Sequence, residues 1–215
     1  MNEYEFVQLL QNYTDQTPQR LVAWYNAVGY MVMNKVEGAI VECGVEKGAN
    51  IYGAIKLLSF IEDYTRPIYL YDSFDGIVML KKDYDVDIHD NAALEIIEKI
   101  GYKTDVDEVK ELLGDLFYGN DIHYKFGSAD ETQSNPANVP RFIALLRLNT
   151  NFYESTKIQL ELLWKNVISN GILIIDHYGH WKGCKMAVDE FFKDKQDDIF
   201  SLKKIDYTAI QIIKQ

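Results

Sequence analysis

The sequence has few cysteines, few prolines and no long apolar run. Two cysteines, Cys43 and Cys184, stand in 215 residues, and no disulfide can be deduced from them. No apolar stretch approaches the roughly 20 residues that a membrane-spanning helix needs. The first residues are polar and acidic rather than a basic stretch leading into an apolar one, so we expect no signal peptide. The expected protein is cytoplasmic, with reduced thiols.

Positive charge is also scarce. Lys and Arg number 22 against 33 Asp and Glu, which gives a formal net charge of -11 at pH 7. Such a surface repels phosphate backbones, so neither nucleic acid nor an anionic membrane is the expected partner. Hydrophobic residues make up 47% of the chain, as in an ordinary globular domain. The composition therefore favours a single domain that acts on a small molecule.

The first part of the chain, 1–37, carries apolar residues at helical spacing. Thr17 followed by Pro18 indicates the start of a second helix. We expect these helices to pack outside a sheet or over its edge and to serve as a lid or a dimerisation segment of a homo-oligomer. Trp24 and Tyr25 are candidates for such a lid, with core packing as the alternative.

From residue 38 to 215 the pattern changes to short apolar runs that alternate with helical stretches. Right-handed crossovers between such runs force a parallel sheet with helices on both faces. The last two runs leave no room for a helix and predict an antiparallel hairpin turning at Asp206 and Tyr207. The predicted fold is thus a doubly wound α/β domain. The predicted strands are Ala39–Cys43, Ile68–Tyr71, Ile122–Phe126, Phe142–Leu148, Ile172–Ile175, Phe200–Ile205 and Ala209–Ile213; the predicted helices between them are Ile51–Ile61, Ala92–Ile100, Val106–Leu113, Lys157–Val167 and Cys184–Phe192.

The turn after the first predicted strand carries two glycines and an acidic residue. Ligands of open α/β sheets bind outside the carboxyl ends of the strands. Gly44 and Gly48 are spaced G-x-x-x-G and lack the middle glycine of the dinucleotide-binding G-x-G-x-x-G. This argues against an NAD-dependent oxidoreductase, which we keep as an alternative. Glu42 would repel phosphate and attract the ammonium of a methionine moiety; its other interpretation is a cap of the turn.

Two further strand ends carry polar side chains. Asp72, followed by Ser73, ends the second strand, where a carboxylate can accept both ribose hydroxyls or serve as an ordinary turn residue. Ser128 and Asp130 follow the third strand, where an adenine edge would lie, although a solvated loop is an equal interpretation. Together the three strand ends favour an adenosyl ligand.

The ends of the fourth and fifth strands carry a family resemblance. The segment 146–156 reads LRLNTNFYEST and is similar to the L-R-[LI]-D-G-D-x-Y-E-S-T of the macrocin O-methyltransferase (TylF/MycF-type) family. The segment 174–191 resembles that family's I-I-D-D-Y-x-x-W-x-G-[AC]-[RK]-x-A-V-D-x-[FY]. Glu42 to Val45 matches its E-x-G-V turn, and Asp72 to Gly76 matches its D-S-F-x-G segment. The match runs in consistent order from about Gly38 to the C-terminus.

The resemblance implies a Rossmann-like class I methyltransferase fold with a seven-stranded sheet. It also implies S-adenosylmethionine as cofactor and methyl transfer to a hydroxyl of a sugar, often an antibiotic-linked or nucleotide-linked deoxysugar. In the family a divalent ion, commonly Mg²⁺, is held by three Asp residues. Those positions correspond to Asn149, Asp176 and His177 in this sequence.

Only one of the three carboxylates is therefore present. Mg²⁺ prefers oxygen ligands, whereas a histidine nitrogen suits softer metals. Metal-free chemistry, a different metal and ordinary Mg²⁺ use all stay open. Without a metal, His177 or His180 is the expected general base, and Asp176 or Asn149 would orient the acceptor. Two alternatives remain: His177 only bonds a neighbouring loop, or the protein binds the cofactor without transferring methyl.

Overall fold

The computed structural model describes residues 1–74, 80, 83–100, 105–114, 116, 121–193, 195 and 200–215, with only the backbone at 99 and 100. Asp75 and Gly76, which complete the D-S-F-x-G segment, lie outside the described residues.

The described strands form one seven-stranded sheet in the order β3-β2-β1-β4-β5-β7-β6. The first five strands run parallel, and β7 is antiparallel to both β5 and β6. This confirms the doubly wound α/β fold with a C-terminal antiparallel hairpin. The strands are β1 Ala39–Cys43, β2 Ile68–Asp72, β3 Ile122–Phe126, β4 Ile143–Leu148, β5 Val167–Ile175, β6 Phe200–Lys204 and β7 Ile210–Lys214.

The helices follow the predicted alternation, with shifts of one or two residues at several ends and two larger differences. The short helix α6 follows β3, where only a polar turn was expected, because Ser128 and Glu131 form a capping box at its start. Helix α7 begins at Tyr153 rather than Lys157 and ends at Leu163, because a 3₁₀ turn over Trp164–Asn166 leads directly into β5. The helices are α1 Glu3–Leu10, α2 Pro18–Met33, α3 Ala49–Phe60, α4 Ala93–Ile100, α5 Val106–Gly114, α6 Ala129–Gln133, α7 Tyr153–Leu163 and α8 Lys182–Lys193.

The N-terminal helices are part of the main core. Phe6 of α1 and Trp24 and Met31 of α2 are buried in one cluster with apolar side chains of α3 and the sheet. The Trp24 indole donates a hydrogen bond to the carbonyl oxygen of Asn50 at 2.8 Å, at the start of α3. A second core on the opposite face packs α7 and α8 on the sheet. A lid or dimerisation role for 1–37 stays a prediction.

Among the described residues, no helix combines the length and the apolar composition that a membrane span requires.

Candidate active site

The site lies where the strand order reverses, between β1 and β4. The chain leaves these two neighbouring strands toward opposite faces of the sheet, so their carboxyl ends open into a crevice. Glu42 of β1 is in register with Arg147 of β4, which pairs in turn with Ile174 of β5. The parallel register therefore brings Glu42, Arg147 and Asp176 to the same edge of the sheet.

The two glycines of the β1–α3 turn are explained by close packing of the backbone. Gly44 has φ +80°, and a Cβ there would lie 2.6 Å from the carbonyl oxygen of Asn149. Gly48 has φ +78°, caps α3, and would bring a Cβ within 3.1 Å of the Val109 side chain. Both positions need a left-handed backbone and a small residue. Contact of this turn with a cofactor stays a prediction.

Glu42 is fully buried and ion-paired. Its Oε1 accepts a hydrogen bond from the Arg147 guanidinium, whereas its Oε2 is buried without a hydrogen-bond partner. Burial raises the pKa of Glu42 to about 7, against the lowering effect of Arg147. A buried acceptor without a partner is costly unless a ligand or water supplies a donor. Glu42 therefore presents an unmet hydrogen-bond acceptor at the switch point of the sheet.

Arg147 connects two carboxylates. One terminal nitrogen pairs with Glu42 and the other with Oδ2 of Asp176, and all three side chains are buried. The side-chain amide of Asn50 of α3 faces the same guanidinium, and its oxygen accepts from Nε at 2.8 Å once the amide oxygen and nitrogen are interchanged. Burial opposes the charge of Arg147, but Asp176 and Glu42 raise the pKa of the guanidinium above its already high value. The Glu42–Arg147–Asp176 cluster is thus a fixed, largely water-excluded ion network.

Arg147 is a site residue that was not predicted from the sequence. One signal was available, since a single arginine interrupts the otherwise apolar strand Ile143–Leu148. A charged side chain in a buried strand is rare unless it is paired.

Asn149 and His177 contact each other at the rim of the crevice. The Asn149 amide nitrogen donates to the carbonyl oxygen of Gly44 at 3.1 Å, which turns its Oδ1 toward Nε2 of His177 at 2.9 Å. In this orientation Nε2 carries the proton and Nδ1 is the unprotonated nitrogen. Burial lowers the pKa of His177 to about 3, so the imidazole is neutral at physiological pH.

His180 lies one turn further along the same loop. Its backbone amide donates to the carbonyl oxygen of His177 at 3.1 Å, and its Nδ1 is buried without a hydrogen-bond partner. The ring stands edge-on to Trp181 at 5.1 Å between centroids. The two candidate bases, His177 and His180, thus lie on the loop that begins at Asp176 of the ion network.

The expected adenosyl-binding residues lie at the ends of β2 and β3. Asp72 accepts the backbone amides of Val45 at 2.7 Å and Phe74 at 2.9 Å, so it also organises the β1–α3 turn. Ser73 is half-buried next to it.

The β3 end is tied to the same region, because the amide of Gly127 donates to the Asp72 carbonyl at 3.1 Å. The Ser128 hydroxyl donates to Asp130 at 2.6 Å, and Asp130 is exposed. These groups are engaged in turn and capping bonds, and their role toward a ligand stays a prediction.

The three expected metal positions do not form a set of donors suited to Mg²⁺. Asp176 is paired with a guanidinium, and the amide oxygen of Asn149 is bonded to His177. In the part of the chain that the structure describes, no group of three or more His, Cys, Asp or Glu is placed to hold a metal ion. Mg²⁺ needs several oxygen ligands in near-octahedral geometry, which these contacts do not supply.

Several solved structures share this architecture. The O-methyltransferase NovP is similar with a TM-score of 0.79 and 25% identity over 94% of this chain and 82% of that chain. CalS11, a TDP-rhamnose 3'-O-methyltransferase of calicheamicin biosynthesis, has a TM-score of 0.58 at 19% identity over 98% of this chain and 92% of that chain. The SAH-bound Podospora anserina methyltransferase PaMTH1 has a TM-score of 0.57 at 12% identity over 99% and 87%. The last two likenesses show the fold alone. No curated protein is significantly similar in sequence to the chain.

The family model of the macrocin-O-methyltransferases (TylF) matches residues 10–214, which is nearly the whole chain. This confirms the resemblance drawn from the four strand-end segments and the assignment to an enzyme class. The chain belongs to the macrocin-O-methyltransferase family of O-methyltransferases.

Proposed function

We propose that this protein transfers a methyl group from S-adenosylmethionine to a hydroxyl of a small-molecule sugar. The observation that carries the proposal is the buried, unpaired Oε2 of Glu42 at the switch point, in a chain of an O-methyltransferase family. Two carboxylates share one guanidinium there, so the cluster carries an excess of acceptor groups. Such an environment suits a cationic ligand and repels phosphate.

The cofactor fits the strand ends in a defined order. Glu42 would accept the ammonium of the methionine moiety, and Asp72, at the end of β2, would accept the ribose hydroxyls. Ser73, Ser128 and Asp130 lie along the edge where the adenine ring would extend. Gly44 and Gly48 hold the turn between these groups. When bound, S-adenosylmethionine supplies a methyl group activated on a sulfonium.

His177 is the proposed general base: burial keeps its imidazole unprotonated but also makes it a weaker base than free imidazole, so its proton transfer would accompany methyl transfer rather than precede it. Its tautomer is fixed by two successive hydrogen bonds, from the Asn149 amide to the Gly44 carbonyl and from His177 Nε2 to Asn149 Oδ1, which leaves Nδ1 as the nitrogen able to accept a proton. The described residues form no hydrogen bond to that Nδ1. His177 accepts the hydroxyl proton while the oxygen–methyl bond forms and the sulfonium–methyl bond breaks. His180 is the second candidate, and Asp176 anchors the loop through Arg147.

A sugar hydroxyl as acceptor follows from the family resemblance and from the charge of the chain. CalS11, which shares the fold, acts on TDP-rhamnose by its name. The net charge of -11 disfavours a nucleic acid acceptor. The acceptor is therefore expected among sugars, free or attached to a nucleotide or a natural product.

The first experiment is a calorimetric titration with S-adenosylmethionine and, separately, with NADH. Binding of S-adenosylmethionine alone supports the proposal, whereas binding of NADH alone would replace it with an oxidoreductase. A mass-based screen of nucleotide-linked and glycoside sugars then detects the methylated product. A chain that binds the cofactor and methylates no acceptor in such a screen would be a binding protein without transferase activity.

The second experiment tests the base. His177→Asn keeps a polar group near the Nδ1 position but cannot accept a proton at neutral pH. We expect its single-turnover rate to fall by about 10²–10⁴-fold, as for loss of a general base, with unchanged cofactor affinity. The matched control is His123→Gln, because His123 lies on the β3 edge and stacks on Tyr69. An unchanged rate in His177→Asn, with a loss in His180→Asn, would transfer the role to His180.

A further inference from the structure

The side chains at the three expected metal positions are bonded to other groups of the protein. Asn149 and His177 are bonded to each other at 2.9 Å, and Asp176 is bonded to Arg147. A metal ion needs lone pairs that converge on one point. Here the Asn149 oxygen is directed at an N–H group, and the Asp176 Oδ2 is directed at a guanidinium.

Two features hold this arrangement in place. The carbonyl of Gly44 accepts from the Asn149 amide, and the amide of Gly44 is itself held by the Tyr71 carbonyl at 2.9 Å. The Arg147 fork is held by Glu42 on one side and Asp176 on the other, with all three side chains buried. Turning either Asn149 or Asp176 toward a metal would break a buried hydrogen bond.

The charges point the same way. Asp176 is the one carboxylate among the three positions, and Arg147 already balances it. The site therefore lacks the two further negative charges with which the family's three Asp residues would balance a divalent cation.

We propose that methyl transfer by this protein is independent of a divalent metal, because Asn149 and His177 stand in place of two of the family's three carboxylates and bond to each other. Arg147 is a positioning residue that acts through Asp176, and His177 is the group that faces the acceptor hydroxyl. This inference rests on the proposed function, but it makes a claim about cation binding that can be measured without cofactor or acceptor.

The test restores the family's carboxylates with Asn149→Asp combined with His177→Asp. Mn²⁺ binding is measured by the loss of the free-ion electron paramagnetic resonance signal, and Mg²⁺ binding by calorimetry. The wild type is expected to show no saturable binding at one ion per chain. The double variant is expected to bind Mn²⁺ at least about tenfold more tightly, since each new carboxylate adds an oxygen ligand and a negative charge. Asn149→Asp alone is expected to have a Mn²⁺ affinity between those of the wild type and the double variant. It replaces the double variant in the test if the double variant does not fold.

The matched control carries the same two substitutions away from the site, Asn12→Asp with His123→Asp. Asn12 is exposed and His123 is half-buried on the sheet edge, so this variant gains the same charge elsewhere. Binding of one Mn²⁺ per wild-type chain, abolished by Asp176→Asn, would overturn the inference. The inference would also be overturned if the double variant bound Mn²⁺ no more tightly than the control variant. A protein that meets these expectations but does not bind S-adenosylmethionine would defeat the proposed function alone.

Discussion

Replacing Arg147 by Met leaves two buried carboxylates, Glu42 and Asp176, without their shared counter-charge. Removing one partner of a buried ion pair costs roughly 3–5 kcal/mol. The stability of a domain is typically about 5–15 kcal/mol, so Arg147→Met is expected to remove a large part of it. Arg147→Lys is expected to be destabilised as well, because an ammonium on a flexible stem cannot reproduce the two-pronged guanidinium contact.

The loss also depends on pH. Without Arg147 the pKa of Glu42 rises further above its ordinary value of 4.5, because Arg147 is what lowers it against burial. The folded form then holds a proton that the unfolded form releases. The stability that this proton on Glu42 contributes to the folded form is fully present below pH 4.5 and is lost as the pH rises through the folded pKa of Glu42. Arg147→Met is therefore expected to lose more stability at pH 8 than at pH 5.

Urea unfolding at both pH values measures this, with the midpoint shifting and the slope unchanged. The control is Lys185→Met, which breaks the exposed i,i+4 pair with Asp189 and is expected to cost about 0–1 kcal/mol. If Arg147→Met cost no more than Lys185→Met, the buried network would not have the energetic role assigned to it.

Two further predictions concern the turns that frame the site. Gly44→Ala is expected to destabilise the protein by about 1–3 kcal/mol, because φ is +80° and the new Cβ meets the Asn149 carbonyl. The control Gly29→Ala in α2, which has open space around it, is expected to stabilise the protein by about 0.5–1 kcal/mol. Equal effects of the two substitutions in thermal unfolding would show that packing at Gly44 does not matter. Burial would raise the pKa of Asp206, but the amides of Ala209 and Thr208 and the Arg20 guanidinium together lower it below 3.8. Its stabilising contribution is present above pH 3.8 and is lost as the pH falls through the lowered pKa, so Asp206→Asn should flatten the acid limb of the stability curve; an unchanged limb would refute this.

The fold was predictable because its signals are local and repeated. Apolar runs such as Ile143–Leu148 and the helical spacing in α2 require burial on a sheet or against one, and the crossovers between the runs then require parallel strands. The boundary between α7 and β5 was less predictable, because the apolar residues from Leu163 to Ile168 fit the end of a helix as well as the start of a strand.

The site was predictable in its position and not in its bonds. Topology places Glu42, Asp72, Asn149 and Asp176 at one edge of the sheet, as the sequence indicated. Which partner each side chain takes depends on distances between segments far apart in the sequence. Arg147 reaches Glu42 across 105 residues, and no local pattern reports that.

Another long-range bond supports the start of α7. The carboxylate of Asp85 accepts the backbone amide of Tyr153 at 2.8 Å across 68 residues. An apolar residue, Phe152, stands at the cap position and offers no side-chain bond of its own. Helix α7 therefore starts where the carboxylate of Asp85, distant in sequence, caps its first amide. The periodicity of apolar residues alone does not show such a contact.

The most direct test of the proposed function is a crystal structure grown with S-adenosylhomocysteine, the product of methyl donation. We expect the ligand at the carboxyl ends of β1 and β2, with its amino group at Glu42 Oε2 and its ribose hydroxyls at Asp72. A ligand bound elsewhere, or a crevice in which Glu42 and Asp72 contact only protein at saturating ligand, would contradict it.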